Sequence, residues 1–311
     1  GAKSVTGIDL SEKMIAEAKK RNSHERIDYR VASLLDWTYP SAAFDVVVSN
    51  LVLHYVEDLR EAVEVADRSE LSIENIYDFA NMVELDLIRP FTDKQIACNM
   101  AIAGRGMQGD YGIGIGKAIL DTYQNGVYAK MRAYAAAASE ARMDGCDMPV
   151  IITSGSGNQG ITSTVPVIIY AREKQFPEEH MMRALVFSSL LTVYQKEYIG
   201  KLSAFCGAVS AACAAGAAIT YLVGGTIQQI KDTVDNTLAN VPGIICDGAK
   251  ASCAVKISSA LDAALFAHTL AMRGKAYSQG TGILKSDTAA TIRDVGHIGR
   301  VGMQPTDEEI V

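Results

Sequence analysis

The stretch "SAFCGAVSAACAAGAAITYLVGG", Ser203 to Gly225, lies within an uncharged run between Lys201 and Lys231. That run is long enough to cross a bilayer. However, alanine, glycine, serine and cysteine dominate it, and it has few of the large apolar side chains that favour lipid. Small residues also let helices pack closely against one another. We therefore predict a helix buried at the centre of a soluble, folded domain and not a membrane span.

The composition of the whole chain indicates a folded protein without a nucleic-acid partner. Its 311 residues suffice for two average domains, and 49% apolar with 21% charged residues is typical of globular proteins. A net charge of −7 offers no basic surface to nucleic acid. Six cysteines are too few for a disulfide scaffold and no signal peptide is visible, so we expect cytoplasmic thiols, some of them metal-bound. Because the chain opens at Gly1 inside an apparent strand, we expect its true start to be missing.

Up to about Ala66 the sequence alternates strand and helix patterns. "SVTGIDL" predicts a short strand ending at Asp9, and "SEKMIAEAKKRN" predicts an amphipathic helix with Ser11 as its N-cap. "FDVVVSNLVLHYV" predicts a buried strand. Strand, helix and strand at this pitch predict a parallel, doubly wound sheet. An acidic residue at a strand end, such as Asp9, is placed to accept hydrogen bonds from ribose hydroxyls.

"GIDLSEKMIAEAKK", "LLDW" and "FDVVVSNLVLHYVED" resemble the middle of a class I S-adenosylmethionine-dependent methyltransferase. The resemblance implies a partial Rossmann-like α/β sheet, in which Asp9 holds the ribose of the cofactor and Asp36 lies near its adenine. The glycine-rich turn that would precede "SVTGIDL" is absent from the sequence, as are the later strands that would close the sheet. We therefore expect residues 1–68 to be a methyltransferase-like fragment that binds the cofactor weakly or not at all.

From about Leu71 onward the sequence changes character. Long patterns rich in alanine, glycine and serine, such as "NGVYAKMRAYAAAASEARM" and "DAALFAHTLAMRG", replace the strands. We predict a second domain over residues 69–311 that is mainly helical, with an α+β arrangement. No proline- or glycine-rich linker separates the two parts, which raises the hypothesis of an artificial or recombined chain.

"VIITSGSGNQGITSTVPV" places β-branched residues before a glycine-rich turn and a helix. We predict a strand over Val150–Thr153. Backbone N–H groups in such a turn, at the N-terminus of a helix, form a nest for an anion. A carboxylate or a phosphate would suit it, with Asn158 and the hydroxyls of Ser154 and Ser156 as further donors. A tight turn that binds no ligand is the alternative.

A second glycine-rich segment, "GDYGIGIGK", has the appearance of a phosphate-binding loop without its essential residues. Tyr111 stands where the first glycine of that motif belongs, and Ala118 stands where a serine or threonine would bind Mg²⁺. We predict a turn that leads into a helix, with no bound phosphate.

Four cysteines form two pairs with a spacing of seven residues, Cys206 with Cys213 and Cys246 with Cys253. Positions seven apart on one helix are separated by about 10 Å along its axis, too far for ligands of one metal ion. The Asp-Gly step after Cys246 can turn the chain, so the second pair can converge. Nothing breaks the predicted helix between the members of the first pair.

The positions of these cysteines favour a three-ligand set. Cys206 is expected near a helix start, where the helix dipole favours a thiolate, and Cys213 is expected in the core. Thiolates of Cys206, Cys246 and Cys253 would suit a [4Fe–4S] cluster with one open iron, a Lewis acid for a substrate hydroxyl or thiol. Buried cysteines that bind nothing are the alternative.

"FCGAVSAACAAGAAI", "IICDGAKASCAVKISSALDAA" and "TSGSGNQGITSTVPV" resemble the L-cysteine desulfidase family, which is related to the iron–sulfur L-serine dehydratases. The similarity runs from about Leu71 to Val311. It implies a lyase that acts by β-elimination: L-cysteine would give sulfide, ammonia and pyruvate, and L-serine would give ammonia and pyruvate. It also implies that Cys206, Cys246 and Cys253 ligate the cluster.

By the same resemblance, the segment Ser154–Gly160 holds the substrate carboxylate, with Gly157 and Gly160 among its residues. We expect a homodimer with a small amino acid as substrate. The sequence does not choose between cysteine and serine, and it names no general base, because the methyltransferase-like piece replaces the N-terminal region of the family.

Three other interpretations stay open. "YAKMRAYAAAASEARMDGCDMPVIITSGSGNQG" is similar to pyridoxal-phosphate dehydratases, in which a lysine precedes a Ser-Gly-Asn loop, and Lys130 would then form the Schiff base. No later glycine-rich phosphate cup is visible in the sequence. The chain could instead be a methyltransferase with an inert helical extension. It could also be an inactive chimera of two truncated domains.

Overall fold

A computed structural model describes residues 5–9, 12–21, 23–31, 70–124, 126–200 and 203–310 of the chain. The chain divides into two units, Gly1–Ala66 and Asp67–Val311. Each unit has its own secondary structure, helical and stranded in the first and helical in the second.

The first unit contains two parallel strands joined by a helix. In chain order these are β1 (Val5–Asp9), α1 (Glu12–Arg21) and β2 (Ile27–Val31). Val5 lies opposite Ile27 in the parallel ladder. Parallel neighbours need a crossover connection, and α1 supplies it. The strand ending at Asp9, the helix after it and the parallel pairing are confirmed.

The wider Rossmann-like sheet of the first unit stays a prediction. The strand expected over "FDVVVSNLVLHYV" lies outside the described residues, and so do Ser11 and the adenine-site candidate Asp36. Asp9 is the last residue of β1, the position from which the sequence predicted a ribose contact. The assignment of this unit to the methyltransferases therefore rests on the sequence resemblance.

The second unit is built from helices. In chain order they are α2 (Ile73–Met82), α3 (Leu85–Gln108), α4 (Ile115–Tyr123), α5 (Val127–Met143), α6 (Gly157–Glu173), α7 (Glu178–Ile199), α8 (Gly207–Leu222), α9 (Ile227–Asn240), α10 (Cys253–Met272), α11 (Thr288–His297) and α12 (Gln304–Ile310), with a π-helical turn over Ile298–Gly302. Within residues 70–124, 126–200 and 203–310, β structure is limited to two isolated bridges, Thr153 with Ser156 and Phe205 with Ile245. The mainly helical character is confirmed, whereas the expected α+β arrangement is not found in this range.

Helix α8 is the centre of the second unit. It packs against α6, α7, α9 and α10, and every residue from Ala208 to Thr220 is buried. Its small side chains let neighbouring helices come close: a Cβ at Gly216 would lie 2.8 Å from the carbonyl oxygen of Ala264 on α10. None of the helices in the described residues is long and apolar enough to cross a membrane. The predicted buried central helix is confirmed.

The predicted strand over Val150–Thr153 is wrong. This segment has no partner strand among the described residues, because the side-chain amide of Asn99 takes its hydrogen bonds. Asn99 Nδ2 donates to the carbonyl oxygen of Ile151 at 3.2 Å, and Asn99 Oδ1 accepts the Ile151 N–H at 2.8 Å. A β-branched run shows a preference for backbone pairing, but it does not show whether a strand or a side chain provides the partner.

Candidate functional site

The glycine-rich loop forms a tight turn in front of α6. Thr153 and Ser156 exchange two backbone hydrogen bonds of 3.3 and 3.2 Å. Between them Ser154 has φ +50° and Gly155 has φ +84°. Positive φ at both central residues is characteristic of a type I′ turn, and it is uncommon for a serine. Residues held in such conformations cluster at ligand-binding sites, so the turn is a candidate site on backbone grounds as well as on composition.

The first turn of α6 carries backbone N–H groups that no described residue accepts. They belong to Gly157, Asn158 and Gln159, and the N-cap Ser156 makes no side-chain hydrogen bond to them. An N-terminus of this kind has a positive partial charge and attracts anions. The predicted anion nest therefore has three free donors.

Gly160, also predicted to bind substrate, differs from these three residues in its backbone hydrogen bond. Its N–H donates to the carbonyl oxygen of Ser156 at 3.0 Å and is not free. A Cβ at this position would lie 2.0 Å from the carbonyl oxygen of Ile151. Glycine is needed here because the backbone before the turn crosses directly over α6.

The side chain of Arg142, from the last turn of α5, lies against the start of α6. Its Nη1 donates to Asn158 Oδ1 at 3.2 Å, and a Cβ at Gly157 would lie 2.5 Å from its Nε. The missing side chain at Gly157 lets the guanidinium approach the helix start. Burial lowers the pKa of Arg142, and the nearby Cys253 thiol acts in the opposite direction. Sequence analysis missed this residue, because nothing in its local pattern distinguishes it from a surface arginine.

Two of the predicted cluster ligands are in contact. The Cys206 N–H donates to the Ile244 carbonyl oxygen at 2.8 Å and the Cys246 N–H donates to the Ala204 carbonyl oxygen at 2.6 Å, which joins the two loops. The Cys206 thiol donates a hydrogen bond to the Cys246 sulfur, so the pKa of Cys206 is raised and the pKa of Cys246 is lowered. Cys246 is therefore the more acidic of the two thiols, and the thiolate expected at Cys206 stays a prediction.

Cys253 joins this pair from the first residue of α10. The chain between Cys246 and Cys253 is a loop in which Gly248 has φ +93°, so the Asp-Gly step turns the chain as predicted. The Cys253 thiol donates to the Gly248 carbonyl oxygen at 3.7 Å, and the Cys246 sulfur accepts the Gly248 N–H. Both sulfurs therefore lie beside Gly248. Cys213, in contrast, is fully buried within α8.

The chemistry of this donor set fits a [4Fe–4S] cluster. Cys253 Sγ accepts the Lys250 N–H at 3.5 Å, and the backbone N–H groups of Ala208 and Gly248 act to lower the pKa of Cys206 and Cys246. Hydrogen bonds of this kind stabilise thiolates and tune iron–sulfur clusters. The described residues contain no group of three or more His, Cys, Asp or Glu side chains placed to hold a metal ion. In a cluster each cysteine binds a different iron, so cluster binding does not require the three sulfurs to surround a single ion.

Lys196 on α7 is a second residue that sequence analysis missed. Its side chain is 9% exposed and makes no ion pair within the described part of the chain. Burial lowers the pKa of Lys196, and the neighbouring Cys246 and Cys206 act in the opposite direction. A buried ammonium without an acidic partner is costly, so its position favours a negatively charged group at the cysteines.

Gln159 adds an unpartnered acceptor between α6 and α8. Its Oε1 is buried and has no hydrogen-bond partner among the described residues. The amide lies against Gly207, where a Cβ would meet Gln159 Nε2 at 2.3 Å. A buried acceptor without a donor costs about 1–3 kcal/mol, so this atom marks a place where a bound group would supply a donor.

These contacts tie three helix starts together. The sequence model of the serine dehydratase alpha chain family matches residues 6–311. The chain belongs to the serine dehydratase alpha chain family. The predicted relation to the L-serine dehydratases is confirmed at this level, while the narrower resemblance to L-cysteine desulfidases stays a prediction. The match begins inside β1, so it does not mark a boundary at residue 68.

Several curated relatives of this chain are called UPF0597 proteins. One from Lachnoclostridium phytofermentans is 48% identical over 261 residues, which cover 84% of this chain and 63% of that protein. One from Desulfitobacterium hafniense is 48% identical over 247 residues, which cover 79% of this chain and 57% of that protein. One from Fusobacterium nucleatum is 47% identical over 252 residues, covering 79% and 59%. The chain thus spans 57 to 63% of the length of these relatives.

Two lysines that could take part in this chemistry, Lys130 and Lys256, have carboxylate partners. Lys130 pairs with Glu173 at 2.8 Å, and it precedes Arg142 by 12 residues on the same helix, about 18 Å along the axis. This position does not favour a Schiff base at the glycine-rich loop. Lys256, beside the cysteines, pairs with Asp247. Lys201 lies outside the described residues.

Two cavities among the described residues do not coincide with this site. One of about 480 Å³ lies between α3, α6 and α7, beside Ile96 and Phe176. One of about 180 Å³ lies near Lys231 and Asp287. Neither is lined by the cysteines or the glycine-rich turn, so the candidate site rests on donor geometry and charge.

Proposed function

We propose that this chain carries the catalytic site of an iron–sulfur lyase that acts by β-elimination on L-cysteine or L-serine. The observation that supports it is the meeting of three helix starts with three thiols: Gln159 of α6 lies against Gly207 of α8, and Arg142 of α5, which contacts the start of α6, is within electrostatic range of Cys253 of α10. Three such N-termini make a strongly electropositive site that suits both a thiolate-bound cluster and a carboxylate.

Cys206, Cys246 and Cys253 would hold a [4Fe–4S] cluster, whose open iron supplies a Lewis acid for the leaving hydroxyl or thiol. The residues around them balance the negative charge of three thiolates. Lys196 approaches from α7, and Lys256, fixed by Asp247, lies on α10 within electrostatic range of Cys206 and Cys253.

The substrate carboxylate would lie at the turn and the first N–H groups of α6. Ser154 and Ser156 present hydroxyls at the turn, and Gly157 and Asn158 present free backbone N–H groups. Orientation by several fixed donors is how a protein holds a small substrate in one reactive pose. Whether cysteine or serine reacts faster depends on the leaving group, which the donors at the carboxylate end do not contact.

The test is anaerobic reconstitution of the purified chain with iron and sulfide, followed by an absorption spectrum and quantification of both elements. Wild type should show a broad band near ~400 nm with about four irons per chain. Cys246→Ala should lose the bound iron, because one ligand is removed. Cys213→Ala is the matched control and should keep it. Equal iron loading in both variants would refute the ligand assignment.

A colourless wild type after reconstitution would favour the alternative of an inactive chimera of two truncated domains. If the cluster loads, the next measurement is pyruvate and sulfide release from L-cysteine, and pyruvate release from L-serine. Pyruvate from neither amino acid would contradict the lyase proposal even with the cluster in place.

We also propose that the chain forms a homodimer. Large apolar side chains at the corner between α2 and α3 are exposed: Phe79 by 45%, Met82 by 75%, Leu87 by 72% and Phe91 by 43%. Exposed apolar side chains of this size that lie close in the chain are often covered in protein contacts. Sedimentation equilibrium at micromolar concentration tests it, and a single monomeric species would refute it.

A further inference from the structure

Arg142 carries a positive charge that the described residues do not neutralise. Ten residues earlier on the same helix, Arg132 pairs with Asp262 at 2.7 Å and donates to Ser258 at 3.2 Å. Arg142 has a neutral partner instead, the amide oxygen of Asn158. A partly buried guanidinium with one neutral hydrogen bond has donors left over for an anionic ligand.

The geometry places these spare donors beside the free N–H groups of α6. Asn158 orients the guanidinium from one side, and Gly157 leaves room for it on the other. Guanidinium and helix start contribute donors and no acceptor. A planar group with two acceptor oxygens, such as a carboxylate, matches a guanidinium in a two-point contact.

Gln159 provides independent evidence for the class of ligand. It is nine-tenths buried, with 9% of its surface exposed, and its Oε1 has no donor in the described part of the chain. A ligand that brings a hydrogen-bond donor next to its anionic group would satisfy this oxygen. An α-amino acid has that arrangement, with an ammonium and a carboxylate on one carbon, whereas inorganic phosphate does not.

We propose that Arg142 binds the α-carboxylate of the amino-acid substrate, with Gln159 as the acceptor for its α-ammonium. This inference deepens the proposed lyase function and rests on it for the identity of the substrate. Arg142 is then a residue for substrate binding and orientation, and the chain selects free α-amino acids by their two charged groups.

The test is isothermal titration of the chain with four probes: L-serine, 3-hydroxypropanoate, which lacks the amino group, ethanolamine, which lacks the carboxylate, and inorganic phosphate. Arg142→Met should lower the affinity for L-serine and for 3-hydroxypropanoate by about 10- to 100-fold, the range for a charged hydrogen bond. Ethanolamine should bind equally to variant and wild type. Gln159→Leu should lower the affinity for L-serine more than the affinity for 3-hydroxypropanoate, which has no amino group.

Arg132→Met is the matched control on α5 and should leave the affinity for L-serine unchanged. Unchanged L-serine affinity in Arg142→Met, no L-serine binding by wild type, or phosphate binding tighter than both carboxylates would each overturn the proposal. Phenylglyoxal labelling of wild type covers the case in which the variant fails to fold. L-serine should protect Arg142 from modification and ethanolamine should not; equal protection would overturn the proposal.

The two proposals fail in different ways. If the chain loads no iron but Arg142→Met still removes L-serine binding, the lyase function is wrong and the carboxylate contact stands. If the loaded enzyme is active and Arg142→Met keeps the wild-type KM, the carboxylate contact is wrong and the lyase function stands.

Discussion

The starts of α4 and α6 have similar sequences, but side chains of opposite charge lie against them. Both follow a glycine-rich segment, "GDYGIGIGK" for α4 and "TSGSGNQG" for α6. At α4, Glu140 accepts the N–H of Ile113 at 3.0 Å and that of Ile115 at 2.7 Å. At α6, the first N–H groups have no acceptor among the described residues, and Arg142 adds further donors.

The difference comes from two residues of the same helix. Glu140 and Arg142 are two positions apart at the end of α5. Glu140 places a carboxylate at the start of α4, and Arg142 places a guanidinium at the start of α6. A helix N-terminus that is neutralised by the protein's own carboxylate cannot hold a ligand anion, and this explains why the phosphate-loop look-alike is a turn, as predicted. An N-terminus supplied with more positive charge is left for a ligand.

The largest effect expected from this comparison is on stability at α4. Glu140→Ala should lower the free energy of unfolding by about 3–4 kcal/mol, because two N–H groups lose a charged acceptor in a buried place. Urea denaturation measures it. The control is Asp144→Ala, which removes an exposed acceptor for the Gly112 N–H and should cost less than about 1 kcal/mol. Equal losses would show that Glu140 does not stabilise this helix start.

Substitutions at Gly157 and Gly160, two glycines of α6, should distinguish a role in binding from a role in packing. Gly160→Ala should cost about 3 kcal/mol of stability, because the new Cβ meets the Ile151 backbone oxygen, which cannot move independently. Gly157→Ala meets side chains only, the flexible Arg142 and Val150, so it should cost less stability while weakening L-serine binding. Thermal unfolding and titration of both variants check this. A Gly160→Ala chain as stable as Gly157→Ala would contradict the close crossing seen here.

Acid sensitivity should arise away from both helix starts, at the buried His268. Its Nδ1 lies 2.8 Å from Thr220 Oγ1, and burial lowers its pKa to about 4, below the value of 6.5 in an unfolded chain. The folded state therefore binds fewer protons. The stability contributed by neutral His268 is complete above pH 6.5 and is lost as the pH falls toward 4, by about 2–3 kcal/mol.

Urea denaturation of wild type and His268→Gln at pH 7.5 and 4.5 measures this contribution. The wild type should lose about 2–3 kcal/mol more than the variant between the two pH values, since glutamine does not titrate. Parallel losses in both proteins would mean that His268 does not contribute to acid unfolding.

The smallest effect is expected for the stability of Arg142→Met. Its one neutral hydrogen bond to Asn158 contributes little, and removing a partly buried charge offsets the loss, so the change should stay below about 1 kcal/mol. Urea denaturation of Arg142→Met and Glu140→Ala under the same conditions compares the two losses of stability. A loss as large as that of Glu140→Ala would make both helix starts structural and remove the distinction between them.

Much of the candidate site could be predicted from local sequence. The spacing of Cys246 and Cys253 around an Asp-Gly step, the glycine-rich turn before α6 and the small residues of α8 each depend on short-range geometry. Helix periodicity, backbone φ and turn chemistry act between residues close in the chain, so they leave a pattern there.

The features that only the tertiary structure decided depend on contacts between residues far apart in the chain. Asn99 replaces a partner strand for Ile151, Lys196 is buried beside the cysteines, and Glu140 and Arg142 give two similar helix starts opposite charges. None of these residues is unusual for its own helix. Their roles arise because packing brings a side chain of one helix to the backbone ends of another. The sequence by itself determined the donors, and the fold determined which of them remain free for a ligand.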